Sequence, residues 1–198
     1  HQKLSTFDPS LKLSDLAASV PAGALKIGLT HGALAIEGKH QPNDFPIALD
    51  AASRAGLDYL GIGHWHSWIA ETDGGRIVMP GTPEPDRFDH ERCGLVALVE
   101  LPGPGQPPRV EPLPVATLAW ESLVFDVLAA EAARATIEQA LAASLPRADT
   151  TVVRVTLKGN ATPQTRRALH AWLDTALAPF FVAQRIDRTT LSLSAPEL

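Results

Sequence analysis

Short apolar runs separated by loop-forming segments organise the first part of the chain. Residues 25–31 and 57–62 are apolar runs of strand length, which is typical of buried strands. Between them, Asp44 precedes a segment with alanine and isoleucine at helical spacing, which begins at Pro46 and ends at Gly56. We expect a helix there with Asp44 as its cap. Strand, helix and strand in this order predict a βαβ-like unit with parallel or mixed pairing.

The next residues have the pattern of antiparallel strands. Residues 68–79 predict a hairpin whose turn is Asp73-Gly74-Gly75. Further strands are expected at 94–101 and through 109–127, joined by the proline- and glycine-rich surface turn 102–108. The first part of the chain is therefore rich in strands and carries few helices.

The pattern changes again towards the end of the chain. An alanine-rich helix is expected from about residue 128 to Leu145, followed by a half-exposed strand over 151–157. Thr162 has the position of a helix cap before Pro163, and two short strands follow that helix. This order predicts a compact α+β unit.

We therefore expect a domain boundary near residue 116. It divides an α/β domain, residues 1–116, from an accessory α+β domain, residues 117–198. No internal repeat is visible in the chain.

Composition and charge narrow the classes of function only moderately. The chain is 45% hydrophobic and 20% charged, as in ordinary globular proteins. Its net charge of −5 gives no basic footprint for nucleic acid, although a local basic stripe or a partner protein could still supply phosphate contacts. A single cysteine, Cys93, excludes an internal disulfide and indicates a reducing compartment.

No signal peptide and no apolar stretch of membrane-spanning length is visible. We therefore expect a cytoplasmic protein without a membrane partner. The first residue is His1 rather than Met, and we expect the chain to be a fragment or a processed product.

Three histidines carry the sharpest chemical signal. His64 and His66 follow the apolar run 57–62 directly and are two residues apart, so both can face one site. His31 ends the other apolar run. Because imidazole is the commonest metal ligand and ligands gather beyond the carboxyl ends of strands, these positions predict a metal site. The alternative is that His64 and His66 are polar loop residues between packed tryptophans.

Other polar residues give weaker signals. Arg87, in the proline-rich loop 80–88, is suited to bidentate phosphate binding, but the loop could equally be a stiff surface turn. His40 follows His31 in a loop and could line a pocket. His90 is interpreted as a solvated loop residue and His170 as a surface or packing residue.

Three segments in order resemble a known family. They are Ile27-Gly28-Leu29-Thr30-His31-Gly32, then Asp58-Tyr59-Leu60-Gly61-Ile62-Gly63-His64-Trp65-His66, then Val78-Met79-Pro80-Gly81-Thr82-Pro83-Glu84-Pro85-Asp86-Arg87-Phe88. This set is similar to the C-terminal half of the calcineurin-like metallophosphoesterases, in the branch of bacterial DNA-repair exonucleases. There, a lone histidine, a GHxH and a PG[ST] loop follow one another. The motifs lie within roughly residues 20–100.

The resemblance implies a fold, a site and partners. The fold would be part of an α/β metallophosphoesterase β-sandwich with flanking helices, followed by a small α+β capping domain. His31, His64 and His66 would be ligands of a two-metal site that usually holds Mn²⁺. Arg87 and His40 would be substrate-binding residues. The substrate would be DNA, cleaved by phosphodiester hydrolysis, and an SMC-like ATPase would be the partner.

The chain also departs from this family. The D-x-H, G-D and G-N-H-D motifs of the first half are absent, and with them the acidic ligands and the histidine that protonates the leaving group. We therefore assign no catalytic residue and expect the isolated chain to be inactive. Its open sheet edges would invite pairing with another segment or, as a homodimer, with a second copy. The alternatives are a non-catalytic scaffold derived from this fold, a phosphomonoesterase or a cyclic-nucleotide phosphodiesterase.

Overall fold

The protein has a mixed α/β fold in two compact units. The computed structural model describes residues 5–38, 41, 43–127 and 130–192. The units are His1–Ala116 and Thr117–Leu198, which divide where the character of the sequence changes. In the part of the chain that the structure describes, no helix is both long and apolar enough to cross a membrane. The family roles that the resemblance gives to the two units stay predictions.

A four-stranded mixed sheet organises the first unit. Its strands are β1 (Ile27–His31), β2 (Tyr59–Gly63), β3 (Ile69–Thr72) and β4 (Ile77–Met79). They lie in the order β1-β2-β4-β3, and β2 runs parallel to both of its neighbours. β3 and β4 form an antiparallel hairpin. The predicted parallel pairing and the predicted hairpin are both confirmed.

The helix predicted in this unit is shorter than expected. A 3-10 turn over Pro9–Lys12 leads into α1 (Leu13–Ala18), and α2 covers only Ala51–Ala55. The prediction that Asp44 caps a helix beginning at Pro46 is wrong. Asp44 lies in the preceding loop, where Ala33 N donates to its backbone carbonyl, and its carboxylate bonds to a histidine instead. The predicted end of the helix is correct, because Gly56 adopts the left-handed conformation that terminates helices.

The prediction that residues 25–31 form a buried strand is only partly correct. β1 exists, but Ile27 is 58% exposed and Leu29 is 77% exposed. β1 is an edge strand, and among the described residues no strand pairs with its outer side. The buried residues that pack against α2 belong to β2 and β4 instead, and they include Leu60, Ile62 and Met79. The apolar run therefore predicts the strand correctly, but its prediction that the strand is buried is wrong.

A second hairpin covers part of the other face of this sheet. It is formed by β5 (Leu95–Glu100) and β6 (Arg109–Pro114), which pair along their whole length. Apolar residues of the hairpin pack against a small cluster of Tyr59, Trp68 and Val78. The turn between the two strands, predicted at 102–108, is confirmed.

The buried carboxylate of Asp58 anchors that turn to the sheet. It accepts hydrogen bonds from the backbone nitrogens of Lys26, at 2.8 Å, and of Gly105, at 2.6 Å. One side chain at the start of β2 therefore holds both the entry to β1 and the tip of the β5–β6 hairpin.

The second unit is a parallel sheet with two helices. Its elements are β7 (Ala119–Val127), α3 (Ala130–Ala142), β8 (Thr151–Ala161), α4 (Pro163–Ala176), β9 (Val182–Asp187) and β10 (Thr190–Leu191). β7, β9 and β10 all pair in parallel with β8. The predicted order of elements is confirmed, but the predicted α+β class is wrong, because parallel strands that alternate with helices form an α/β unit. The predicted cap of α4 is confirmed, since the Thr162 hydroxyl accepts from Thr165 N at 3.1 Å. The helix predicted to reach Leu145 ends at Ala142, and a 3-10 turn over Leu145–Thr150 follows it.

β8 is more buried than its alternating sequence predicts. The pattern over 151–157 predicts a half-exposed strand, but Val153, Val155 and Leu157 on one face and Val152 and Thr156 on the other are all buried. β8 is the central strand and pairs with neighbours on both edges. Central strands of parallel sheets are covered on both faces, so alternation with threonine did not indicate exposure here.

The Asp187 carboxylate joins α4 to the end of β9. One oxygen accepts from His170 Nε2 at 2.7 Å and from the Arg166 side chain at 2.9 Å. The other oxygen accepts from the backbone nitrogen and the hydroxyl of Thr189. Burial raises the pKa of the Asp187 carboxyl, but these donors outweigh burial and hold the pKa well below its ordinary value. Asp187 therefore stabilises the second unit in its ionised form.

We expect Asp187→Asn to destabilise the second unit by about 2–3 kcal/mol at pH 7, because bonds to a charged acceptor are lost. Since folding lowers the pKa of Asp187, its contribution is complete at neutral pH. The difference between wild type and variant should shrink as the pH falls below about 4, where the unfolded carboxyl becomes protonated. Urea unfolding followed by circular dichroism measures the free energy of unfolding of both proteins. Hydrogen exchange of residues 151–161 assigns the transition to this unit.

Asp174→Asn is the matched control. Asp174 also pairs with an arginine, Arg185, but its side chain is mostly exposed, so we expect a loss below about 1 kcal/mol. Equal losses in the two variants, or a gap that does not change with pH, would contradict the role given to Asp187.

Candidate functional site

The parallel pairing of β1 with β2 brings the predicted histidines together. In the register of this pair, His31 lies opposite Gly63, and His64 follows directly. A Cβ atom at Gly63 would lie 3.3 Å from Nδ1 of His31, so glycine at this position leaves room for the imidazole. The sequence Gly63-His64 therefore serves two purposes, because it supplies one imidazole and leaves room for the other.

His31 and His64 form the first of two side-chain clusters. His31 Nε2 and His64 Nδ1 are 3.2 Å apart, with the two rings nearly perpendicular. The other nitrogen of His64, Nε2, lies 2.9 Å from the Asp44 carboxylate. If Nε2–H donates to Asp44, neutral His64 keeps a lone pair on Nδ1, on the side that faces His31. A carboxylate that orients a histidine in this way is the usual support of a metal-bound imidazole.

His66 belongs to a second cluster with two residues of the following loop. Its Nδ1 lies 2.8 Å from one oxygen of Asp86, and His90 Nδ1 lies 2.9 Å from the other oxygen. One ligand atom from each of His66, Asp86 and His90 can be chosen so that all lie within 4.8 Å of one another. The approach of His66 first, and of His90 with it, lowers the pKa of the Asp86 carboxyl, so it is ionised at neutral pH.

The contact between His66 and Asp86 has the distance of an ion pair, 2.8 Å, but its geometry is poor for a hydrogen bond. Nδ1 of His66 is buried and has no hydrogen-bond partner, although the carboxylate oxygen lies at hydrogen-bond distance. The His90 contact, by comparison, has hydrogen-bond geometry.

The loop after β4 is fixed against the His66 backbone. The backbone nitrogen of Thr82 donates to the His66 carbonyl at 3.1 Å. Gly81 has a φ of 79°, and a Cβ there would lie 2.6 Å from the same carbonyl. Farther along, Trp68 N donates to the Arg92 carbonyl at 2.9 Å. These contacts hold the loop along the segment that carries His64 and His66.

An open cavity of about 870 Å³ lies beside these clusters. Residues lining it include His64, His66, His90, Arg87 and Arg92. Arg87, predicted as a phosphate ligand, is therefore at the same cavity as two of the predicted metal ligands. His40, the other predicted substrate-binding residue, lies outside the described residues. The cavity combines imidazoles with guanidinium groups, and such groups bind oxyanions.

Sequence reasoning missed three members of these clusters. His90 was interpreted as a solvated loop residue, yet its side chain is mostly buried and bonds to Asp86. Asp86 was not singled out, and Asp44 was assigned to a helix cap. The spacing Asp86-x₃-His90 was a usable signal, because residues four apart can converge in a compact loop. Asp44 gave no comparable signal, since its contact with His64 depends on how a long loop folds back.

The arrangement can bind transition metals and anions. Imidazole nitrogens with a carboxylate suit the borderline divalent ions, and nearby arginines suit a phosphate group. No protein-family model matches the chain, and no curated protein is significantly similar to it.

We expect Gly81→Ala to destabilise the first unit by at least about 2 kcal/mol, because the new Cβ meets the His66 carbonyl in addition to the cost of the positive φ. Gly23→Ala is the control. Gly23 has a φ of 80° with no atom near its virtual Cβ, so only the backbone cost of about 1–2 kcal/mol applies. Urea unfolding measures both variants, and equal losses would show that Gly81 does not hold the loop against His66.

Proposed function

We propose that this chain is the histidine-bearing portion of a metal-dependent phosphoesterase, and that the complete enzyme is a DNA exonuclease. The observation that carries the proposal is the pair His31 Nε2 and His64 Nδ1, 3.2 Å apart at the ends of adjacent parallel strands. His66 follows two residues later and lies at the same cavity. The motif order that resembles the metallophosphoesterases supplies the specific reaction.

The chain's own residues have defined tasks in this proposal. His31, His64 and His66 would hold divalent ions, usually Mn²⁺, with Asp44 orienting His64 through Nε2. Two such ions supply charge that stabilises the phosphodiester and a hydroxide at neutral pH. Arg87 lines the cavity beside the histidines and would bind a phosphate oxygen of the substrate.

In this proposal, the acidic metal ligands of the family come from a segment other than the residues that the structure describes. The edge of β1 is a suitable place for a segment that carries them. Its backbone is unpaired on the outer side within the described part of the chain, and Ile27 and Leu29 expose apolar surface there. His31 stands at the end of this same strand. A strand added at this edge would pair with the backbone of β1 and pass beside His31.

The charge of the chain bears on the substrate. With a net charge of −5, the chain does not attract DNA by its overall field. DNA contacts in this proposal come from local groups such as Arg87 and Arg92 at the cavity, and from a partner such as the SMC-like ATPase that the resemblance implies.

The proposal is tested by hydrolysis of bis-p-nitrophenyl phosphate with Mn²⁺. We expect residues 1–198 alone to give no measurable turnover, because the acidic ligands are missing. The product of the complete reading frame should hydrolyse the substrate, and both His31→Ala and His64→Ala should lower its turnover by at least about 100-fold, as loss of a metal ligand does.

His170→Ala is the matched control for this assay. His170 is also a partly buried histidine paired with a carboxylate, but it lies in the second unit. We expect its turnover to equal that of the wild type. A complete product without Mn²⁺-dependent turnover, or full activity in His31→Ala and His64→Ala, would contradict the proposed function and favour a scaffold. Cleavage of a DNA duplex in place of the small substrate separates a nuclease from a phosphomonoesterase.

A further inference from the structure

We propose that His66, Asp86 and His90 together bind one divalent transition-metal ion without any further protein segment. The resemblance assigns a metal to His66 but gives no role to Asp86 or His90. The site shares His66 with the proposed function and does not rest on it, because its ligands all lie within this chain. The proposed site holds one ion, and this chain supplies all of its protein ligands.

The distances between the ligand atoms fit a common ion. Two ligands about 2.1 Å from a metal and at right angles to each other, as in an octahedral site, lie about 3 Å apart. His66 Nδ1 lies 2.8 Å from one oxygen of Asp86 and His90 Nδ1 lies 2.9 Å from the other, so a shared ion would be bound through both oxygens of the carboxylate. The two imidazole rings are 5.0 Å apart between centroids and steeply inclined, so their nitrogens approach the carboxylate from different directions.

The unpartnered nitrogen of His66 supports a metal over a plain ion pair. In an ion pair, His66 would donate a proton from Nδ1 along the short line to Asp86. Instead, this buried nitrogen has no hydrogen-bond partner. A metal ion bound to both Nδ1 and the carboxylate would give this nitrogen a partner.

The ligands are held in place before any ion binds. Thr82 fixes the His66 carbonyl through its backbone nitrogen, and the Thr82 carbonyl in turn accepts from Gly94 N at 2.8 Å. Cys93 Sγ donates to the His90 carbonyl at 3.3 Å. Both ends of the loop that carries Asp86 and His90 are therefore tied to the strand end that carries His66. Such support reduces the ordering that binding must impose.

The ligand set selects the class of ion. Two imidazoles and one carboxylate suit zinc, manganese, iron and their neighbours, whereas Ca²⁺ and Mg²⁺ prefer sites made of oxygen. Three protein ligands leave at least one coordination position for water or an anion. The adjacent cavity is lined by Arg87 and Arg92 but also by Asp89 and Glu91, so its charge does not by itself select an anion over water.

Equilibrium dialysis of the metal-free chain against Zn²⁺ or Mn²⁺, with metal analysis, tests the site. We expect one tightly bound ion per chain, which excess Mg²⁺ does not displace. Asp86→Asn and His90→Ala should each weaken this binding by at least about tenfold. His170→Ala is the control, because it removes a histidine that pairs with a carboxylate outside the cluster. Wild-type affinity in both Asp86→Asn and His90→Ala would overturn the proposal.

A second measurement needs no variant. Zn²⁺ should protect His66 and His90 of the wild-type chain from diethyl pyrocarbonate, as read by peptide mass spectrometry, and leave His170 equally modified with and without zinc. Modification of His66 and His90 that is the same with and without Zn²⁺ would overturn the proposal.

The outcome is separable from that of the proposed function. His64→Ala should abolish hydrolysis by the complete product and keep the ion at His66. If the complete product is inactive while Asp86→Asn loses the ion, the proposed function fails and this site stands.

Discussion

The parallel pairing of β1 with β2 is the constraint on which the site depends. It places His31 opposite Gly63, so that His31 and His64 leave neighbouring strands at the same edge of the sheet. A shift of one residue in this register would turn His31 to the other face and separate the two imidazoles. Asp58 fixes this start of the sheet by holding the backbone at Lys26. A buried carboxylate at one end of the strands therefore helps to fix the positions of the histidines at the other end.

The second constraint is the fixed loop after β4. Gly81 allows the chain to pass within contact of the His66 carbonyl, and Thr82 bonds to that same carbonyl. This path carries Asp86 and His90 to His66 and Arg87 to the cavity. Two clusters result, one with the Asp44 carboxylate and one with the Asp86 carboxylate. Each has an imidazole nitrogen directed at another potential ligand, which is the common feature of the two proposals.

The sequence predicted the elements better than their surroundings. The apolar runs located β1 and β2 because strand length and pattern are local properties. Exposure of Leu29 depends on what packs over its face of the sheet, and that is not encoded locally. β8 shows the converse, since its alternating pattern suggested a solvated face that its central position removes. The histidines were found by their spacing after strands, whereas Asp44 and Asp86 reach them only through the folding of loops.

The central claim is that His66, together with Asp86 and His90, holds a metal ion within this chain. Crystals of the chain grown with Mn²⁺, measured at the manganese absorption edge, test it most directly. The account predicts an anomalous peak about 2.0–2.3 Å from ligand atoms of His66, Asp86 and His90. Anomalous peaks confined to surface carboxylates, with none beside His31, His64 or His66, would contradict it.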